Sequence, residues 1–186
     1  MIGSGPDGGE IMKNVFLIYE QCCFYEITIL SYFFSATGEE LLFCSPDGKP
    51  VRCMEGFCVN ADMALKEVNV NEIRSLIITG GEAAAVNRRE VHGFIRGMRD
   101  KNVLIGAICA GVKVLEDAGV IQEMETPYNC GRDVVNNHHV ITARPNAYVD
   151  FAIEVAKELN LFEDERDLQE TIDFWKYHKR PADINS

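Results

Sequence analysis

The sequence predicts an α/β sandwich built on a mainly parallel central sheet. Short apolar runs alternate along the chain with segments of helical periodicity, which is the pattern typical of a parallel sheet covered by helices. The 186 residues fit one domain on the guide of roughly 150 residues per domain, and the sequence contains no internal repeat or linker. In such sheets ligands gather beyond the carboxyl ends of the strands, so functional residues are expected there.

Each predicted element depends on a local pattern. Apolar runs bounded by turn residues predict strands at 14–19, 41–44, 75–79 and 103–108, with a weaker extended stretch at 51–59. Helical spacing of apolar residues predicts helices at 24–38, 87–101, 112–118, 146–159 and 163–178. A helix cap is expected at Asn60. Two apolar runs within 134–142 flank an Asn pair and predict a hairpin, with His138 and His139 in its turn.

Charge and composition exclude several classes of partner. The net charge of −11 disfavours binding to nucleic-acid phosphates or to an anionic membrane surface. No apolar run approaches the roughly 20 residues that are needed to span a bilayer. The seven cysteines are an odd number without a CxxC pair, which indicates a reducing compartment. We therefore expect a cytoplasmic protein.

The first twelve residues have the composition of a leader without structure. They are rich in Gly and lack the basic and apolar regions of a signal peptide, so we interpret 1–12 as a disordered leader or an expression scar. A single domain is expected to occupy 13–186.

Neither a metal nor a cofactor is expected. The histidines are isolated or share a turn, and Cys53 and Cys58 lack the second pair of ligands that a zinc site needs. The glycine pair at 80–81 is not followed by the Gly-Lys-Ser/Thr of a phosphate loop.

The strongest local signal is a cysteine at a strand-to-helix turn. Cys109 follows a buried strand and precedes a helix, with the small residues Ala107 and Gly111 on either side. This arrangement is similar to the nucleophile elbow of G-x-S-x-G enzymes, with sulfur in place of oxygen. The positive end of the helix dipole is expected to lower the pKa of the thiol. The alternative is a small apolar residue that fills space in the core.

A glycine pair follows another strand and offers bare backbone N–H groups at the same sheet edge. Gly80 and Gly81 come directly after the strand that ends at Thr79. Together with the N–H of Ala110, these groups would stabilise negative charge that develops on a substrate attacked by Cys109. The alternative is a flexible turn between strand and helix.

Four segments together resemble the ThiJ/PfpI superfamily of class I glutamine-amidotransferase-like proteins, which includes the parkinsonism-linked deglycase. The resemblance covers roughly 13–161. The segments are VFLIYEQCCFYEIT, LIITGG, AICAG and VITARPNAYVDFAIEVAKEL, which are similar to the superfamily's acid-bearing first unit, glycine turn, nucleophile elbow and last strand and helix. The resemblance implies a flavodoxin-like three-layer sandwich with a mainly parallel sheet.

The resemblance also implies roles for particular residues. It assigns the nucleophile to Cys109, a conserved acid to Glu26, and the oxyanion donors to Gly81 and Ala110, with Gly80 and Gly111 in support. An ionised carboxylate beside a thiolate would raise the pKa of the thiol, so a protonated Glu26 that donates to sulfur is expected, and the two groups should titrate as a pair. Glu20 competes for the same role.

The sequence departs from the superfamily at the histidine that many members carry near the thiol. Ala110 follows Cys109, and the next region is Thr126-Pro127-Tyr128-Asn129-Cys130. No histidine matches, and His138 and His139 are expected to be exposed turn residues. The absence of a matched base places Cys-His hydrolase activity in doubt.

Two neighbouring thiols suggest a redox role. Cys22 and Cys23 are expected at the same sheet edge as Cys109, and either is a candidate resolving thiol for a sulfenic acid at Cys109. The alternative is that both are small buried apolar residues.

These expectations leave four functions open. By resemblance, the protein is a cysteine-dependent enzyme acting on a small electrophile, such as a dicarbonyl like methylglyoxal, its protein adducts, or an isonitrile. The alternatives are a redox sensor or stress chaperone, an amidotransferase- or peptidase-like hydrolase, and a binding module. The expected partners are a small-molecule substrate or a glycated protein, and a homodimer is expected because relatives are often dimers.

Overall fold

A seven-stranded sheet forms the centre of the computed structural model, which describes residues 12–180. The spatial order of its strands is β5-β2-β1-β6-β7-β9-β8, and every neighbouring pair is parallel except the antiparallel pair β8 and β9. A separate antiparallel pair consists of β3 and β4. The strand bounds are β1 Lys13–Leu17, β2 Glu40–Ser45, β3 Val51–Arg52, β4 Cys58–Val59, β5 Met63–Ala64, β6 Ile73–Ile78, β7 Leu104–Ile108, β8 Val134–Asn136 and β9 Val140–Ala143.

Helices flank this sheet, which confirms the predicted flavodoxin-like sandwich. Helix α1 packs against α5, and α2 packs against α3. The helix bounds are α1 Thr28–Ala36, α2 Arg89–Asp100, α3 Ala110–Asp117, α4 Pro127–Cys130, α5 Tyr148–Glu158 and α6 Glu165–Trp175. Among residues 12–180, no helix has the length and the apolar character needed to cross a bilayer.

Burial explains why the central strands form from nearly continuous apolar runs. All five residues of β7 are buried, as are four of the five in β1, because helices cover both faces of a parallel sheet. The four predicted central strands lie within two residues of the observed ones. The predicted hairpin is also confirmed, since β8 and β9 pair across a turn in which both His138 and His139 have positive φ.

Three expectations about local structure differ from the fold. The stretch 51–59 contains two short paired strands, and no helix follows Asn60, where the chain instead enters β5. The helix expected from Phe24 begins as a 3-10 turn at Phe24–Ile27 before α1. Of the expected leader at 1–12, residues 1–11 lie outside the described residues, as do 181–186 of the expected domain at 13–186.

The strand order creates a crevice between β1 and β6. From β1 the chain proceeds outward through β2 and β5, and from β6 it proceeds outward in the other direction through β7 and β9. Connections leave the carboxyl ends of these two neighbouring strands in opposite directions, which is where ligands bind in open α/β sheets. The loops after β1, β6 and β7 meet at this edge.

Candidate active site

The turn from β7 to α3 has the geometry of a nucleophile elbow. Cys109 adopts φ 56° and ψ −124°, a conformation that is costly for a residue with a side chain. Its N–H donates to the Ala143 carbonyl of β9 at 2.9 Å, which fixes the turn to the sheet. A Cβ on Gly111 would lie 2.5 Å from the Ile78 carbonyl oxygen, so only glycine allows α3 to start this close to β6.

Glu26 is buried beside the thiol although it comes from a distant part of the sequence. It lies in the 3-10 turn before α1 with 1% of its surface exposed. Its Oε2 accepts the Gly80 N–H at 2.7 Å and lies 3.3 Å from Thr79 Oγ1. This oxygen and the Cys109 sulfur both border Gly80, since a Cβ on that glycine would lie 2.6 Å from the one and 2.9 Å from the other. The other carboxyl oxygen, Oε1, is buried without a hydrogen-bond partner. Glu20, the competing acid, instead accepts the Arg52 N–H at 3.0 Å in an exposed position.

The glycine pair allows three chain segments to meet. A Cβ on Gly80 would lie 2.5 Å from Cys109 Cβ and 2.6 Å from Glu26 Oε2, so a side chain has no room here. Gly81 has φ +118°, and a Cβ there would collide with the Gln21 carbonyl. The N–H groups of Gly81 and Ala110 lower the pKa of the Cys109 thiol, which is the effect of donors that stabilise a negative charge on sulfur. Three other residues singled out in the sequence, Glu26, Gly81 and Ala110, therefore act on the sulfur of Cys109.

The two acidic groups at the site influence each other strongly. Burial raises the pKa of Glu26, against the lowering effect of the Gly80 N–H. Burial and the neighbouring Glu26 carboxylate also raise the pKa of Cys109, against the N–H groups of Ala110 and Gly81. The N–H of Ala110 at the start of α3 does lower the pKa of the thiol, as expected, but burial and an ionised Glu26 outweigh it. A protonated Glu26 removes the opposing charge and donates a hydrogen bond to sulfur.

A cavity of about 620 Å³ opens next to the thiol. Cys109 and Lys113 of α3 form one wall, and Met124, Thr126 and Tyr128 of the following segment form another. The Tyr128 hydroxyl lies 3.5 Å from the Cys109 carbonyl oxygen. Sequence reasoning missed the helix α4 that carries Tyr128, although Pro127 at its first position and the capping box of Thr126 and Asn129 are recognisable signals.

The histidines lie away from the thiol. His92 is on α2, His138 is exposed in the hairpin turn, His139 lies 3.3 Å from Glu158 Oε1, and His178 follows α6. Besides burial, the groups that shift the pKa of the Cys109 thiol are Glu26 and the N–H groups of Ala110 and Gly81. Within the described ranges no group of three His, Cys, Asp or Glu side chains has an arrangement that would hold a metal ion.

A resolving thiol is expected to contact the sulfur of Cys109, but Cys22 and Cys23 each contact a different sulfur atom. Cys22 is fully buried with its Sγ 3.8 Å from that of Cys53. Cys23 is half-buried with its Sγ 3.3 Å from the sulfur of Met54. Burial, with Glu26 and Cys109 next in importance, raises the pKa of Cys23 to about 12, which makes it a poor nucleophile at neutral pH. The resolving role stays a prediction.

The fold and the site define a class of protein: an α/β sandwich with a cysteine at a nucleophile elbow and a buried glutamate beside it. The sequence model of the DJ-1/PfpI family matches residues 12–158, and the chain belongs to this family.

Curated relatives and solved structures agree with this assignment. A glutathione-independent glyoxalase of Caenorhabditis elegans is 28% identical over 138 residues, which cover 66% of this chain and 74% of the relative. A deglycase of Pyrococcus abyssi is 31% identical over 88 residues, which cover 46% of this chain and only 52% of the relative. A DJ-1 superfamily protein of Agrobacterium tumefaciens superposes with a TM-score of 0.78 at 26% identity, over 90% of this chain and 100% of that one. DJ-1beta of Drosophila melanogaster, at 21% identity and a TM-score of 0.73, covers 87% of this chain and 96% of its own and shares the fold.

Proposed function

We propose that the protein is a cysteine-dependent enzyme that acts on a small dicarbonyl such as methylglyoxal, or on the adducts that such compounds form with proteins. The observation that carries the proposal is the convergence of Glu26 and the N–H groups of Gly81 and Ala110 on the sulfur of Cys109, in the wall of an open cavity. The names of the relatives, a glyoxalase and a deglycase, support the same class of substrate.

The pair of Cys109 and Glu26 supplies the nucleophile. Because burial favours the neutral form of the carboxyl, we assign one proton to Glu26 and the negative charge to sulfur, where the N–H groups of Gly81 and Ala110 stabilise it. The thiolate then attacks the aldehyde carbon of the dicarbonyl and forms a hemithioacetal. Glu26 is the group that returns a proton to sulfur when the product leaves.

The backbone donors act before and after the attack. In the resting enzyme they hold the charge on sulfur, and in the adduct they lie beside the carbon that carries the new alkoxide oxygen. Gly80 and Gly111 support this arrangement because a side chain at either position would push the segments apart.

The surroundings of the thiol favour carbonyl chemistry over amide hydrolysis. A Cys-His hydrolase needs an imidazole that activates the thiol and protonates the leaving amine. All four histidines of the chain lie within the described residues, and none is a hydrogen-bond partner of Cys109. Conversion of a free dicarbonyl to a hydroxy acid has no leaving amine, so this reaction, unlike the removal of an adduct from a protein amine, does not make this demand.

Turnover of methylglyoxal and phenylglyoxal tests the proposal. Wild-type protein is expected to consume both, and Cys109→Ala is expected to reduce consumption to the background rate. Cys58→Ala is the matched control because Cys58 is an exposed free thiol on β4, and it should behave as the wild type does. Equal consumption by Cys109→Ala and wild type would overturn the proposal. A wild type without turnover whose Cys109 is readily oxidised would favour the sensor.

We also propose that the protein is a cytoplasmic homodimer that binds small molecules or glycated proteins and not nucleic acid. Three large apolar side chains near the loop that follows β1 are 42–59% exposed, and a second copy of the chain would cover them. They are Tyr25, Met54 and Phe57. The net charge of −11 opposes contact with phosphates. Light scattering on a size-exclusion column should give about twice the chain mass of 20.8 kDa, and a monomer mass would contradict the dimer.

A further inference from the structure

Tyr128 presents a hydroxyl to the cavity that exposes the nucleophile. The hydroxyl donates a long hydrogen bond of 3.5 Å to the carbonyl oxygen of Cys109, and both residues line the cavity. The side chain is 55% exposed, so its hydroxyl is accessible to a molecule that enters. A tyrosine hydroxyl is both a donor and an acceptor, and it is one of the groups that transfer protons in enzymes.

The tyrosine ring is held in place by Arg144. The guanidinium lies 5.3 Å from the centre of the ring, at cation–π distance, and Nη2 donates to the Pro127 carbonyl at 2.7 Å. Arg144 directly follows Ala143, whose carbonyl accepts the N–H of Cys109. One short path of bonds therefore fixes the ring relative to the elbow.

The segment before the ring is also ordered by its own hydrogen bonds. Thr126 Oγ1 accepts the Tyr128 N–H at 3.3 Å, and the Asn129 side chain accepts the Thr126 N–H at 2.7 Å and donates to the Met124 carbonyl at 3.0 Å. These bonds form the cap of α4. A rigid helix that holds Tyr128 in place suits a proton donor, because reacting groups must be positioned closely.

The site needs a proton donor on the side of the cavity. The N–H groups of Gly81 and Ala110 act on the charge of the sulfur, and that of Gly80 donates to Glu26. A substrate carbon that bonds to sulfur from the cavity enters the space that Tyr128 also lines, which gives the hydroxyl access to the carbonyl oxygen of that substrate. The histidines that would otherwise serve are elsewhere in the chain.

We propose that Tyr128 is the acid that protonates the substrate carbonyl oxygen and that Arg144 is its positioning residue. This inference rests on the proposed dicarbonyl chemistry. The thiolate of Cys109 forms the S–C bond, the C=O π bond opens onto oxygen, and the Tyr128 O–H proton moves to that oxygen. The phenolate that remains is stabilised by the Arg144 guanidinium and takes back a proton from water. Atoms and charge balance, and no oxidant or reductant is needed.

The titration of the phenol agrees with this role. Burial and the nearby Cys109 raise the pKa of Tyr128, although Arg144 lowers it. The hydroxyl therefore carries its proton at neutral pH, where it is needed as an acid. The charge of Arg144 then reduces the cost of the transient phenolate.

Substituting Tyr128 by phenylalanine separates proton donation from packing. With phenylglyoxal as substrate, Tyr128→Phe is expected to lower kcat by roughly 10²-fold, within the range for loss of a general acid, and to change KM by less than about threefold. Alkylation of Cys109 by iodoacetamide requires the thiolate but no acid on the electrophile, so its rate should stay within about twofold of wild type. Tyr177→Phe is the matched control because Tyr177 is a similarly exposed tyrosine after α6.

Arg144→Lys tests the positioning role. Lysine keeps the charge but not the planar fork that contacts both the ring and the Pro127 carbonyl, so kcat should fall less than in Tyr128→Phe, with alkylation unchanged.

The possible results separate the two claims. Wild-type kcat in Tyr128→Phe, with turnover that still depends on Cys109, overturns the role of Tyr128 and leaves the proposed function standing. An equal loss of turnover and alkylation in Tyr128→Phe assigns a structural role to the ring and also overturns the inference. A wild type without dicarbonyl turnover overturns both.

Discussion

A methyl group at position 80 tests whether the close approach of three segments assembles the site. In Gly80→Ala the new Cβ would lie 2.5 Å from Cys109 Cβ, 2.6 Å from Glu26 Oε2 and 2.9 Å from Cys109 Sγ. Real Cβ atoms do not approach other heavy atoms within 3.0 Å, so the elbow or the 3-10 turn must move. The distance from the new Cβ to Cys109 Cβ has to grow by about 1 Å to reach the roughly 3.5 Å of ordinary van der Waals contact.

This displacement has consequences for stability and for reactivity. Overpacking of a closely packed interior costs about 1–3 kcal/mol. For a domain of this size each kcal/mol lowers the Tm by about 2–4 °C, so a decrease of about 2–12 °C is expected. A misplacement of about 1 Å between reacting groups reduces turnover by roughly 10²-fold. Gly80→Ala should therefore lose more activity than its change in stability explains.

Thermal unfolding followed by circular dichroism, together with phenylglyoxal turnover at 25 °C, measures both effects. Gly93→Ala is the matched control, because a Cβ at this position of α2 would meet nothing within 4 Å. That substitution should raise stability by about 0.5–1 kcal/mol and leave turnover unchanged. Wild-type Tm and turnover in Gly80→Ala would refute the reasoning.

Three further substitutions test other parts of the account. Burial raises the pKa of Glu26, so the stability that its neutral form contributes is complete below the unfolded pKa of about 4.3 and is lost as the pH rises towards the raised folded value. Glu26→Gln should therefore gain stability relative to wild type as the pH rises above about 4.3, by at most about 1.4 kcal/mol per pH unit in urea unfolding, and a pH-independent difference would contradict this. Asp164 accepts the N–H groups of Arg166 and Asp167 at 2.9 Å as the cap of α6, so Asp164→Ala should cost about 1 kcal/mol and Asp164→Asn much less, whereas equal losses would contradict the cap. Phe151 is fully buried, and Phe151→Ala should cost about 3–5 kcal/mol in the same assay; a cost below about 1 kcal/mol would show that the core is packed otherwise.

The strands and the hairpin were predictable because their signals are local. A run such as 103–108 is apolar at every position, and only burial on both faces explains that pattern. The cap expected at Asn60 was wrong because β5 pairs with β2 there, a long-range contact that sequence spacing does not record.

The site was predictable in part for the same reason. The elbow has a local signature, the small residues on either side of Cys109. The position of Glu26 depends on Gly80 and Thr79, which lie more than 50 residues away in the chain, so resemblance supplied what spacing did not. The sequence analysis anticipated that an ionised Glu26 would raise the pKa of Cys109, but it missed the larger contribution of burial, because burial follows from packing.

The protonation state of Glu26 is the central claim, and the rate of Cys109 alkylation by iodoacetamide against pH tests it most directly. Mass spectrometry of the Cys109 peptide gives the apparent pKa of the thiol in wild type and in Glu26→Gln. If a protonated Glu26 donates to the thiolate, the amide is the weaker donor and the apparent pKa rises in Glu26→Gln. If Glu26 is ionised in the native protein, its removal relieves a repulsion and the apparent pKa falls. A fall, or no change, would contradict the account.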